Sequence, residues 1–513
     1  MSTHASPTTL PVKPVCSTVA DIIARSAGRF ATQTAVEFSD RAWSYADLDA
    51  AVTAVAREFL ALGAAKGDRI AAYGKNSDLY LILFLACARA GLIHVPVNFQ
   101  LTGDELDYIL ANSGAEIVFA DDDLIEAVNA TPSGAAGQVR TLSSLLGPAS
   151  ASDIDPAASG EFDVTDADIA QLLYTSGTTS APKGAVMTHR ALVHEYLSCL
   201  TSLDFAGNDR AVHALPLYHS AQMHVFLLPL LAVGAHNIIV PAPVPGDLLA
   251  LFEERQINSF FAAPTVWVAL ANRPELETRN LESLRKAYYG ASIMPGPVLT
   301  KLRERLPELG FYNCFGQSEL GPLCTVLRPE EHDDHPGSAG RAVLFVETRV
   351  VDAAGDDVAP GELGEILYRS PQLCSGYWDK PEATAEAFDG EWFHSGDLVR
   401  MDADGFVEVV DRVKDVINTG GVLVASRQVE DAIFEMPGVA EVAVVGIADE
   451  KWIEAISAFV VVRDDAGEIA EADVIAHVRD RLAGFKVPKR VAFVSELPKN
   501  SAGKILKRSL REA

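Results

Sequence analysis

The chain has 513 residues, 49% of them hydrophobic, with 42 basic against 70 acidic side chains and a formal net charge of −28. That length supports a large domain and at least one smaller one, and the acidity disfavours nucleic acid or an anionic membrane surface as a partner. Any anionic substrate must be met by local positive charge.

Residues 1–14 are polar and Pro-rich and read as a loose tail without the apolar core of a signal peptide. The stretches 18–30 and 45–64 have helical apolar spacing, while 69–74, 93–98 and 116–121 are short apolar runs ended by turn residues. The apolar run Leu79–Ala88 is too short to span a bilayer and suits a buried helix. Residues 131–160, rich in Ala, Ser, Gly and Pro, read as a surface connection. Strand-like runs return at 237–243, 259–265 and 286–292, between helices. From about 340 to 410 the pattern turns strand-rich, at 342–352, 364–370 and 405–411. Helix, two strands and helix then follow at 429–438, 439–447, 455–463 and 472–485. The expectation is an α/β fold: a large N-terminal domain of layered α/β sheets with a strand-rich subdomain, and a small α+β C-terminal domain. The large domain would run from 15 to 411, with a junction at 412–415 and the small domain from 416 to 513.

The six cysteines form no Cys-x-x-Cys pair and no cluster with histidine. They point to a reduced, soluble, cytoplasmic protein without a zinc site.

The stretch YTSGTTSAPKG, Tyr174 to Gly184, begins where the apolar run 169–174 ends. Its composition suits a loop over a polyphosphate. Thr175, Ser176, Thr178 and Thr179 offer hydroxyls, Gly177 lets backbone approach an anion, and Lys183 adds positive charge. It is not a Walker A loop, because Lys183 follows Pro and precedes Gly. Glu319 follows small polar residues after the strand-like FYNCF and could reach Mg²⁺ at a strand end. Gly290, Ala291 and Ser292 would let a ligand pack against backbone. Asp397 suits ribose hydroxyls, with Arg412 reaching ribose or phosphate. Taken singly, these segments read as an ordinary loop, core aromatics, a turn and a surface ion pair.

Taken together they are ordered motifs. YTSGTTSAPKG, FYNCFGQSELG (311–321), WFHSGDL (392–398), DRVKDVINTGG (411–421) and LPKNSAGKILKR (497–508) resemble the core motifs of the adenylate-forming superfamily. That superfamily comprises acyl- and aryl-CoA synthetases, peptide-synthetase adenylation domains and luciferases. The resemblance covers about residues 17–510 and is closest in look to fatty acyl-CoA synthetase-like acid–CoA ligases. It implies that Glu319 holds magnesium, Ser318 lies near the phosphates, Phe315 stacks on adenine, and Asn313 hydrogen-bonds it beside Gly316. It implies that Lys414 is the hinge between the domains, and that Lys504 is a catalytic lysine carried on a mobile loop to the carboxylate and α-phosphate. His219 matches a position bordering the acyl pocket. Gln222, Met223, Tyr288 and Tyr289, with Phe260, are further candidates for that pocket.

The resemblance implies ATP, Mg²⁺ and CoA as ligands, and activation of a carboxylic acid to an acyl-adenylate followed by transfer to CoA. Monomer and homodimer both fit. Three positions depart from the pattern. Ser180 stands where Gly is usual, VLVASRQVE follows Gly420–Gly421, and Ile453 interrupts a Trp-Gly-Glu signature. Leu423 and Ile453 would narrow a thiol route. They motivate a second reading, adenylation with a carrier-protein or amine acceptor, or of a small anion such as nitrite for diazotisation. A third, a non-enzymatic nucleotide-binding scaffold, conflicts with Lys183, Glu319, Asp397, Arg412 and Lys504 standing together.

Overall fold

The computed structural model describes residues 17–146, 162–175, 181–290, 292, 294–449, 451–463, 466–467, 469–499 and 505–511. Several of its helices start where polar side chains cap them. Thr18 and Asp21 form a reciprocal capping box at the start of Val19–Phe30, and Ser77 accepts from the Tyr80 amide at the start of Asp78–Ala90. The second helix ends on Gly91 in the left-handed region. All its residues except Arg89 are buried, as expected for a helix apolar all round. Its core neighbours include Val36 of one sheet and Ile70, Ala72 and Phe119 of another, so it is sandwiched between the two.

A six-stranded sheet has the spatial order 138–141, 117–120, 69–73, 93–97, 169–175, 183–188. Its first five strands run parallel, and the last is antiparallel to Ile169–Thr175. The nine-stranded sheet carries parallel strands Arg210–His213, Ser259–Ala262, Lys286–Gly290 and Gly310–Gly316. A third, antiparallel sheet holds Glu347–Val351, Leu363–Arg369, Trp392–Met401 and Val407–Arg412. The fourth sheet is built wholly from strands between Ile417 and Phe493. The described hydrophobic clusters divide at the same place. Those of the first three sheets draw on nothing beyond Val409, and those of the fourth begin at Ile417.

Three readings need correction. The tract 131–160 is not all connection: Pro132–Ala136 is a short helix and Gln138–Thr141 an edge strand parallel to Ile117–Ala120. An edge strand of four mostly polar residues leaves no apolar run to read. The run 342–352 is broken: Ala342 ends the short strand Arg341–Ala342, Val343–Val346 closes a turn that leaves Leu344 exposed, and a new strand starts at Glu347. The last predicted helix stops at Arg479, with a C-cap at Asp480. Among the described residues, no helix is long and apolar enough to cross a membrane. The five described cysteines are free and buried.

Candidate active site

Four of the candidate segments begin at the carboxyl ends of parallel strands, the edge at which open α/β sheets bind ligands. Ile169–Thr175 ends where residues 176–180 begin, Arg210–His213 leads toward His219, Lys286–Gly290 ends on Gly290, and Gly310–Gly316 leads into Ser318 and Glu319. Gly290 pairs with Cys314, and a Cβ on it would stand 2.1 Å from the Cys314 carbonyl oxygen, so only glycine lets these strands close up.

Side chains tie the strand ends together across the two sheets. The Thr175 hydroxyl lies 3.4 Å from Glu319 Oε1, and the Tyr377 hydroxyl donates to the same oxygen at 3.0 Å. The Ser220 and Ser318 hydroxyls are 2.9 Å apart. Lys183 is the register partner of Thr175 on the returning strand, with its ammonium 5.1 Å from the centre of the Tyr377 ring. Burial, then the negative charge of Glu319, push the Tyr377 phenol above its usual range, which keeps it a neutral donor.

Asp397 comes from the third sheet, nearly inaccessible, opposite Arg412 in register. Arg412 Nη1 donates to Asp397 Oδ1 at 2.6 Å. Gln317 Nε2 donates to Asp397 Oδ2 and to the Ser395 carbonyl, fastening this strand to the Glu319 segment. Arg412 Nε is buried without a hydrogen-bond partner among the described residues. An orphan donor at this spot suits an oxygen-rich ligand.

Asn313 donates its amide to the Ser338 carbonyl at 2.9 Å, Phe315 is half-buried, and Gly316 and Ser292 are exposed. His219 has a buried Nε2 without a partner among the described residues, and burial lowers its pKa to about 4, so it is neutral at pH 7. Gln222, Met223 and Tyr288 are placed differently from the pocket reading, each with no accessible surface. Gln222 accepts from the Leu215 amide and meets His213, while the Tyr288 hydroxyl donates to the Leu203 carbonyl. They pack the interior behind the site. Residues 221–227 wind as a π-helix in which Gln222 to Leu227 are all buried, so no face of it is left for a ligand. Tyr289 is buried with its hydroxyl on His332, and Phe260 is buried in the same core cluster.

Lys414 is exposed on a short 3₁₀ turn, Val413–Asp415, between the two sets of sheets. Ser176, Gly177, Thr178, Thr179, Ala291 and Lys504 lie outside the described residues. Gln317 and Tyr377 were missed by the sequence reading. Gln317 sat unread inside the FGQSE motif, and nothing local marked Tyr377.

Among the described residues, no group of three or more His, Cys, Asp or Glu could cage a metal. Glu319 is a partly exposed carboxylate, which suits Mg²⁺, an ion held by one or two carboxylates together with substrate phosphates and water. Both described hydrogen bonds to the Glu319 side chain fall on Oε1.

A family model described as "AMP-binding enzyme" matches residues 23–378, and one for the AMP-binding enzyme C-terminal domain matches 428–504. The chain is 38% identical over 478 residues to a feruloyl-CoA synthase of an Amycolatopsis species, covering 93% of this chain and 95% of that protein. It is 31% identical over 490 residues to the fatty acid–[acyl-carrier-protein] ligase ScoC of Streptomyces coeruleorubidus, covering 94% and 93%. Among solved structures it is similar to ATP-bound MatB from Rhodopseudomonas palustris, with TM-score 0.87, 31% identity and coverage of 96% and 98%. It is also similar to O-succinylbenzoate coenzyme A synthetase of Bacillus subtilis with ATP and magnesium, with TM-score 0.85, 25% identity and coverage of 96% and 99%.

Proposed function

The chain belongs to the AMP-binding enzyme family and is an adenylate-forming ligase; from that premise we propose how its residues divide the work of activating a carboxylic acid with ATP and passing the acyl group to CoA. The observation that carries the division is the meeting of Thr175 and Glu319, which joins the phosphate-loop strand to the carboxylate.

Two anions must approach when a carboxylate attacks the α-phosphate, so positioning and charge neutralisation supply most of the catalysis. Thr175, residues 176–179 and Lys183 hold the β- and γ-phosphates. Phe315 and Asn313 take the adenine beside Gly290–Ser292 and Gly316. Asp397 receives the ribose hydroxyls, oriented by Gln317 and Arg412. Glu319 is the protein ligand to Mg²⁺, with Ser318 beside the phosphates. When bound, the ion neutralises phosphate charge and favours departure of pyrophosphate. Lys504 brings its ammonium to the carboxylate and α-phosphate oxygens during attack. The C-terminal unit, with its separate core, then turns about Lys414 between 412 and 415, and the thiol displaces AMP.

His219, neutral and with one nitrogen free of partners among the described residues, borders the acid, with Tyr289 deeper. CoA as acceptor is supported by the feruloyl-CoA synthase likeness, and a carrier-protein thiol by the likeness to ScoC. The exposed Leu423 and Ile453 leave both open to test.

The test is AMP release from ATP and Mg²⁺ with ferulate, a fatty-acid series and nitrite, with and without CoA. CoA-dependent AMP release with an acid is expected. Release indifferent to CoA transfers the assignment to another acceptor, and release with nitrite alone to diazotisation.

A further inference from the structure

Glu319 does not stand alone, and what holds it is a residue outside the phosphate loop and outside the motif that carries Glu319. The segment 374–378 is strapped along the strand Lys183–Thr188: the Val186 amide donates to Gly376, the Ser375 amide to Val186 and the Trp378 amide to Gly184, at 2.8–3.0 Å. At its start the Cys374 amide donates to the Glu319 carbonyl at 2.7 Å, and at its end the Tyr377 amide donates to Thr384 Oγ1 at 2.9 Å. Backbone bonds therefore fix where the Tyr377 side chain begins. Its two chemical features are then used separately. The hydroxyl donates to Glu319 Oε1, and the ring lies under the Lys183 ammonium.

A carboxylate that turns freely pays rotamer entropy on meeting a cation, and an ammonium beside it would fold onto it as an ion pair. Tyr377 counters both. A hydroxyl on Oε1 sets the carboxylate plane and leaves Oε2 for an incoming cation, and a π face gives Lys183 a seat that costs the carboxylate nothing.

We propose that Tyr377 is a positioning residue that presets two polyphosphate-binding groups, aiming the Glu319 carboxylate through its hydroxyl and seating the Lys183 ammonium on its ring. The assignment rests on Glu319 being the magnesium ligand.

The test separates the two features. Tyr377→Phe removes the hydroxyl and keeps the ring; Tyr377→Leu removes both; Glu319→Gln tests the premise. Full-length protein saturated with α,β-methylene-ATP is titrated with Mn²⁺, with free ion read by electron paramagnetic resonance. Calorimetry in chelator measures affinity for the metal-free nucleotide. Tyr377→Phe is expected to weaken Mn²⁺ binding by about tenfold or more, the effect of one lost hydrogen bond to a charged group. Its metal-free nucleotide affinity should stay within about twofold of wild type, and Tyr377→Leu should lower both affinities. Retained far-ultraviolet dichroism and thermal midpoint in Tyr377→Phe exclude misfolding. Wild-type Mn²⁺ affinity in Tyr377→Phe, with loss in Glu319→Gln, overturns the role of Tyr377 alone. Unchanged Mn²⁺ affinity in Glu319→Gln overturns the metal assignment and this inference with it.

Discussion

Asp397 and Arg412 face each other as register partners on neighbouring antiparallel strands, 2.6 Å apart at Oδ1 and Nη1. The pairing fixes a carboxylate at the rim of the site before any ligand arrives, with Gln317 holding its other oxygen. A group so fixed binds hydroxyls without paying for its own ordering. Asp397→Ala is expected to raise KM for ATP about tenfold or more, with a smaller change in kcat, in ATP–pyrophosphate exchange. An equal fall in kcat with unchanged KM would place Asp397 in the chemical step instead.

Lys504 is expected to act in the transition state and little in nucleotide binding. Lys504→Ala should therefore abolish most adenylation, about a hundredfold or more, while ATP affinity measured by calorimetry changes by less than about threefold. Near-normal pyrophosphate exchange would remove Lys504 from the mechanism.

Glu195 is completely buried behind the Glu319 segment, where it accepts from the Leu323 amide at 2.9 Å and meets Gln372. Desolvation raises its pKa well above the ordinary 4.5, only partly opposed by the Leu323 amide and Cys199. A carboxyl with a raised folded pKa contributes stability that is complete below the unfolded value and is lost as pH rises toward the folded one. Glu195→Gln cannot ionise and escapes that loss. The difference in urea-unfolding free energy, variant minus wild type, should grow from pH 5 to pH 8. A difference independent of pH would mean that Glu195 ionises in the fold as readily as outside it.

Ile453 has φ +67°, a conformation that a β-branched side chain adopts at a cost, and its side chain is 57% exposed. Little burial repays the strain. Ile453→Gly is expected to stabilise the C-terminal sheet by about 1 kcal/mol, the left-handed penalty less the entropy of glycine. Slower hydrogen exchange in the strands Val439–Asp449 and Ile453–Val462 would register it; faster exchange would show that the isoleucine packs against something that compensates.

The sequence was legible where one residue type serves one local purpose. Parallel strands announced themselves as short apolar runs, and the helix Asp78–Ala90 as a continuous one. The strand ends that bring Thr175 to Glu319 were legible as apolar runs followed by small polar residues. The reading failed where a role is assigned by distant packing. Gln222 and Tyr288 look like pocket residues until His213 and Leu203, brought in by other elements, occupy their polar atoms. Tyr377 looks like a surface aromatic until its segment pairs with Lys183–Thr188, nearly two hundred residues earlier. Glu195 lies 128 positions from Leu323, and no local pattern announces that pair.

The most direct measurement is a crystal structure of the whole chain with α,β-methylene-ATP, Mg²⁺ and an acid substrate. The account expects one magnesium within about 2.1 Å of Glu319 Oε2, bridging to phosphates gripped by residues 175–183. A triphosphate bound away from that loop, or a metal with no contact to Glu319, would contradict it.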